Sequence, residues 1–406
     1  MALTRRQFVA LTAPAMMAFG SASPRFLAHA AEKSKQTGDE KILVVVQMSG
    51  GNDGLNTVVP FDNDEYFKAR PKLAIPKSDV SKINDELGFH PAAKGLSDLL
   101  EQDRLAIVQG VGYPNPNLSH FESMDIWHTC LRKSDQRPDG WLGRAIDSIQ
   151  VNEPLDIPAL HFGNRKQPFA LASLQHRVPS VKSLEQFRLE LKQRESLSEI
   201  RNSVNAQRSQ SSSLLDFVQT STDTAIDVSE RLKDVTKNYQ TDVTYPESPL
   251  GDQLKTVAQL IDADLATRVY YVEIDGFDTH SQQAEAHASL LRQVGDSLSA
   301  FIADVNQHGH GDRVLALCFS EFGRRVAENA SAGTDHGRAA PLFLAGNNVK
   351  SGLIGRMPSL EKLEEGDLKF HTDFREVYAG ILENWLGTPS GEILHESYRP
   401  VDFLKT

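Results

Sequence analysis

The residues of this chain best suited to chemistry are acids, imidazoles and one serine, set in separated groups. Asp53 follows Ser49-Gly50-Gly51-Asn52. Ser119 and His120 stand just before Glu122. Asp278-Thr279-His280 forms a third group. A fourth runs from Ser320-Glu321-Phe322-Gly323-Arg324 to Gly333-Thr334-Asp335-His336-Gly337. Carboxylates with neutral imidazoles are the ligand set of divalent metals such as zinc or manganese. Asp278 and His280 can chelate from an extended or turn segment, whereas adjacent Asp335 and His336 share a site only on a bent loop. The planar fork of Arg324 suits an anionic group, and His120 is a candidate proton carrier.

Each group also has a structural reading. Asp53 among glycines makes an Asx-turn, Glu321 and Arg324 form an ion pair, and His280 caps or stacks at the start of its helix. Ser119 with Glu122 fits the S-x-x-E capping box. A helix N-terminus also favours anions and can host a serine nucleophile. Singly the structural readings suffice; a site is favoured only if the groups meet.

The elements that would bring them together follow from hydrophobic pattern. Ile42-Leu43-Val44-Val45-Val46 is a continuous apolar run, as in a strand covered on both faces. Leu105 to Gln109, Val269 to Ile274, Val314 to Phe319 and Pro341 to Ala345 are further strands, separated by helical segments such as Ala92 to Glu101 and Gln282 to Val305. This alternation predicts an α/β fold, an open and mostly parallel sheet with helices on both faces. Ligands of such sheets bind beyond the carboxyl ends of the strands, where the groups above fall. Residues 183–260 break the alternation: polar, helix-forming and Ser/Gln-rich around Ser209 to Ser213, they predict a helical insertion or cap. Leu250 to Ala263 is the helix that leads to the next strand.

Composition narrows the class. The chain has 406 residues, 40% of them hydrophobic, enough for a sizeable core, and its formal charge of −11 argues against nucleic-acid binding. Cys130 and Cys318 make no disulfide framework; Cys318 lies in an apolar run and is expected to be buried. At the N-terminus, Thr4-Arg5-Arg6-Gln7-Phe8-Val9 precedes an uncharged run ending at Phe19, too short to span a bilayer comfortably, and then Ala28-His29-Ala30. This pattern predicts a twin-arginine signal peptide over residues 1–30, the twin-arginine translocase as partner, and a folded cargo in the periplasm or cell envelope. No second long apolar run predicts a membrane span in the mature chain.

Gln47-Met48-Ser49-Gly50-Gly51-Asn52-Asp53-Gly54-Leu55-Asn56, Ser119-His120-Phe121, Asp278-Thr279-His280 with Gln283, and Phe319 to Arg324 leading to Gly333 to Gly337 resemble the exported bacterial family known as domain of unknown function 1501. The likeness covers nearly the whole mature chain. That family is similar in fold to the alkaline phosphatase and sulfatase superfamily. The resemblance therefore implies an alkaline phosphatase-like domain over residues 31–406, hydrolysing a small anionic phosphate or sulfate ester with a divalent metal ion such as zinc, manganese or calcium. By the same resemblance Asp53 is a metal ligand, Ser119 the nucleophile, and Asp278, His280 and His336 the ligands of one metal. Glu321 then stands near a second metal position, His336 leads into the strand at Pro341, Asp373 caps the closing helix, and His371 is not a ligand. Phe322 occupies the place of a second histidine. The loss of that imidazole weakens one of two metal positions, so the resemblance allows a single metal with Asp335 compensating. It equally allows a non-catalytic binding or envelope-assembly protein that keeps the fold. A metal-free serine hydrolase is disfavoured, since no G-x-S-x-G elbow surrounds Ser119.

Overall fold

The computed structural model describes residues 40–149, 158–163, 166–176, 178–181, 239–263, 265 and 267–405. The expected signal peptide and the bulk of the expected insertion lie outside the described residues. Within the insertion, residues 239–248 run without regular structure into a helix at Pro249–Asp262, started by Ser248, whose side chain accepts from Gly251 N.

The strands in chain order are β1 (Ile42–Ser49), β2 (Val58–Val59), β3 (Ser81–Lys82), β4 (Gly88–Phe89), β5 (Leu105–Gly112), β6 (Ala159–Phe162), β7 (Ser180–Val181), β8 (Val269–Asp275), β9 (Val314–Phe319), β10 (Ala340–Ala345), β11 (Gly352–Ile354) and β12 (Thr372–Asp373). Nine form the main sheet, in the order β11-β5-β10-β9-β1-β8-β6-β7, with β12 beside β5; β2, β4 and β3 make a small separate sheet. The apolar run at β1 is central, parallel to both β8 and β9. Among the described strands only β10 runs against its neighbours in the main sheet, antiparallel to β9 and β5.

Both faces are covered, as the expected class requires. Val44, Val46 and Met48 of β1 pack under α3 (Lys94–Glu101), α6 (Pro249–Asp262) and α7 (Gln283–Gln307). Leu43 and Val45 pack on the other face under α4 (His120–Thr129), α5 (Trp141–Ser148) and α8 (Phe374–Gly380). The remaining short helices named here, α1 (Gly54–Thr57) and α2 (Asp64–Ala69), follow β1. Cys318 is fully buried in the first core, as expected of a small hydrophobe. Asp373 caps α8 in a capping box with Glu376, also as expected.

The reversal of β10 matters for function. A segment preceding an antiparallel strand arrives at the same edge as segments that follow parallel ones. Residues before Ala340 therefore join those after Ser49, Asp275 and Phe319 at one end of the sheet.

Candidate metal centre

The first piece of this edge is the loop leaving β1. Gly50 (φ +120) and Gly51 (φ +81) adopt a backbone that side chains disfavour. A Cβ on Gly50 would meet Asp278 N at 2.3 Å, and one on Gly51 would meet the Phe322 ring at 2.4 Å. The loop thus lies directly against the segments after β8 and β9.

Arg324 joins these segments. Its Nε donates to Gly51 O (2.8 Å) and Nη1 to Thr334 O (2.7 Å); Nη2 reaches Gly50 O, Phe277 O (3.0 Å) and Asp278 Oδ1 (2.7 Å). Its side chain is wholly buried. This corrects two expectations: Arg324 is neither a free fork for a substrate nor the partner of Glu321. Its donors are consumed in holding the loops, and its ion-pair partner is Asp278.

Around Asp278 the imidazoles converge. His280 Nε2 lies 2.9 Å and His336 Nε2 3.1 Å from Asp278 Oδ1, and the two Nε2 atoms are 3.0 Å apart. His120 Nε2 approaches Asp278 Oδ2 at 3.4 Å. One ligand atom each from His120, Asp278 and His336 lie within 4.8 Å of one another. The opposite nitrogens are tied: His120 Nδ1 to Glu321 Oε1 (2.9 Å), His280 Nδ1 to Asp335 Oδ1 (3.1 Å) and His336 Nδ1 to Leu118 O (2.7 Å). Carboxylates and carbonyls only accept, so each Nδ1 is the donor. In the neutral rings every Nε2 then presents a lone pair towards Asp278.

Lone pairs crowded at about 3 Å need a proton or a cation between them. His120 Nε2 is buried and has no hydrogen-bond partner. Imidazoles fixed through the far nitrogen by a carboxylate or carbonyl are the usual arrangement of metal-binding histidines. The donor set therefore fits a metal ion.

Electrostatics point the same way. Burial opposes ionisation of Asp278, but the hydrogen bond and charge of Arg324 lead the effects that outweigh it and bring its carboxyl to about 2. The Glu321 hydrogen bond raises the His120 pKa, while burial lowers that of His336 and favours its neutral form. Hydrogen bonding from His280 lowers the pKa of Asp335. Phe322 is buried and packs on the rings of His120 (centroids 5.0 Å apart) and His336 (4.6 Å). Where an imidazole was expected, an aromatic wall stands.

Other expected residues are placed differently. Asp53 does not join the cluster: its carboxylate is fully buried against Arg70 Nη1 (2.6 Å), accepts from Gln283 Nε2, and caps α1 through Asn56 N. Burial opposes its ionisation, and Arg70 holds its pKa below the usual value. Asp53 is thus a structural anion, the reading its glycine-rich setting suggested. Glu321, whose side chain is 2% exposed, takes Gly50 N–H (2.9 Å) and His120 Nδ1 on one oxygen, so it orients a ring instead of facing the cluster. His120 Nδ1 is committed to Glu321 and its Nε2 faces Asp278 without a hydrogen-bond partner, which makes it a better ligand than proton carrier.

Ser119 is exposed and is the residue before α4, but its side chain makes no cap; the Glu122 carboxylate is taken by Arg137 (2.6 Å). The expected capping box is therefore absent, and the Ser119 hydroxyl is left to solvent beside His120. His371 Nε2 is held by Arg356 O at 2.6 Å, away from the cluster as expected. Arg70 escaped the sequence reading: a buried arginine after a short polar helix carries no signal until its acid is known.

Residues 40–373 match the family described as Protein of unknown function (DUF1501), and the chain belongs to it. No curated protein matches the sequence. Among solved structures the chain is similar to the C-terminal periplasmic domain of EcEptC from Escherichia coli in complex with zinc (10% identity, 77% of this chain and 74% of that one, TM-score 0.37). It is also similar to the PsFucS1 sulfatase from Pseudoalteromonas sp. (8% identity, 94% and 77%, TM-score 0.39). A third is the lipoteichoic acid synthase LtaP from Listeria monocytogenes (9% identity, 93% and 81%, TM-score 0.39).

Proposed function

We propose that this DUF1501 member is an exported, metal-dependent hydrolase of phosphate or sulfate esters. The observation that carries the reading is the convergence of His120, His280 and His336 on Asp278, each ring anchored through Nδ1 and one Nε2 buried without a partner. Those four side chains would hold one divalent ion, with Glu321, Asp335 and Leu118 O orienting the rings. A nitrogen-rich set suits zinc better than manganese or calcium, which prefer oxygen. Bound there, the ion would polarise an ester oxygen as a Lewis acid.

The chain's own groups supply the rest. Ser119 is the candidate nucleophile, its hydroxyl exposed next to His120 and free of capping duty. The N-terminus of α4, a helix of ten residues, favours negative charge on a substrate brought to that hydroxyl. Phe322 excludes water from one side of the rings. With Asp53 committed to Arg70 and Phe322 in place of an imidazole, a single metal position is what the residues favour. Export is proposed from the twin-arginine pattern, through that translocase to the periplasm or envelope; no described helix is long and apolar enough to cross a membrane.

A second reading, an exported binding protein without turnover, is favoured by Arg324, whose full commitment to loop carbonyls removes the expected anion clamp. Metal analysis of the exported protein followed by assays on phospho- and sulfoesters decides between them. One ion per chain with Ser119-dependent turnover supports the hydrolase. One ion without turnover supports the binding protein, and absence of metal after growth in metal-replete medium rejects the hydrolase and leaves the binding protein.

A further inference from the structure

Along the α4 face of β1, Leu43 and Val45 are buried in apolar contacts, and the next residue on that face, Gln47, is buried but polar. Its Oε1 receives the Tyr271 hydroxyl and lies 2.9 Å from His128 Nε2; Tyr271 and His128 are themselves 3.2 Å apart. Burial brings the His128 pKa down to about 3, so this ring is neutral. With Oε1 committed to those two groups, the Gln47 amide donates from Nε2 to Ser49 Oγ at 2.7 Å. Gln47, Tyr271 and His128 are all buried, and among the described residues the bond to Ser49 links them to a half-buried group.

A hydroxyl has one proton and can accept twice. Ser49 accepts from Gln47 and keeps its proton, and among the described residues no protein acceptor takes it. Ser49 is the half-buried last residue of β1, on the face that carries α4. The next residue, Gly50, donates its N–H to Glu321 Oε1, the oxygen that also holds His120 Nδ1. A half-buried hydroxyl whose proton no described protein group accepts thus sits one residue before the Gly50 N–H that shares Glu321 Oε1 with His120.

We propose that Ser49 is a further substrate-contacting residue, its hydroxyl donating a hydrogen bond to a non-bridging oxygen of the phosphate or sulfate group, with Gln47, Tyr271 and His128 as positioning residues. The inference rests on the reading of the centre given above. Its test uses the mature chain, Ser49→Ala and Ser49→Thr, with metal content measured per chain and inorganic phosphate and sulfate as probes in titration calorimetry. A bond to an anion is lost in the alanine variant, so its affinity for phosphate or sulfate falls about tenfold or more, while metal content is unchanged. The threonine variant keeps the hydroxyl and stays within about threefold of the parent. Equal affinity of parent and Ser49→Ala, or failure of the metal-loaded parent to bind either anion, overturns the inference and leaves the metal centre standing. A parent that takes up no metal removes the reading of the centre, and the anion comparison still decides Ser49.

Discussion

Replacing Arg324 with lysine keeps the charge and removes the fork. The guanidinium serves the carbonyls of Gly50, Gly51, Phe277 and Thr334 together with Asp278, all from a buried position. An ammonium has three N–H groups from one point, so at least two of these acceptors lose their donor. A buried acceptor left unpaired costs about 1–3 kcal/mol, which places Arg324→Lys about 2–6 kcal/mol below the parent. That is a large share of the roughly 5–15 kcal/mol by which folded proteins are stable. With a urea slope of about 3 kcal/mol per molar, the unfolding midpoint falls by about 0.7–2 M at unchanged slope. A midpoint within about 0.2 M of the parent would show that these carbonyls do not depend on the fork. An arginine reserved for substrate would give that second result, so the experiment separates clamp from anion binder.

Asp53→Asn leaves a buried arginine without its acid; stability falls by about 3–5 kcal/mol while metal content per chain is unchanged, and loss of metal with the fold intact would restore Asp53 to the ligand set. His336→Ala and Asp278→Asn, by contrast, reduce metal below one ion per chain in elemental analysis. Ser119→Ala abolishes ester turnover but shifts stability by less than about 0.5 kcal/mol, below the usual loss of about 1 kcal/mol for a capping serine, because no cap bond exists; a large drop in Tm would contradict the geometry. Buried neutral His128 and His161 titrate near 3 and 4, below an ordinary histidine, chiefly through burial. Groups with depressed folded pKa contribute stability that is complete above about 6.5, the unfolded value, and declines as pH falls towards 3. Urea midpoints measured from pH 7 to pH 4 should decline, less steeply in His128→Gln.

Much of the fold was legible because burial on both faces leaves a continuous apolar signature, as at Ile42 to Val46 and Val314 to Cys318. The direction of β10 was not, since Ala340-Pro341-Leu342-Phe343-Leu344-Ala345 is equally apolar whichever way it runs. The identities of the centre's residues were legible as residue types, but their roles were not. A histidine becomes a ligand or a proton carrier according to what its far nitrogen meets, and for His120 that partner is Glu321, 201 residues away. Arg70 lies only 17 residues from Asp53, yet nothing in a polar, surface-like stretch marks it as buried. Ser119-x-x-Glu122 failed as a capping box because Arg137, beyond the helix, competes for the glutamate.

The place of β1 in the sheet bears on how the chain is made. Its apolar run pairs with β8 and β9, the latter ending at Phe319, about 280 residues later. At a synthesis rate of roughly 5–20 residues per second, that strand leaves the ribosome some 15–55 s before its second neighbour exists. Until then Ile42-Leu43-Val44-Val45-Val46 is a sticky segment with both edges open. Its shelter during translation must come from outside the sheet, so the nascent protein should depend on a holding chaperone in proportion to how slowly residues 50–319 are translated.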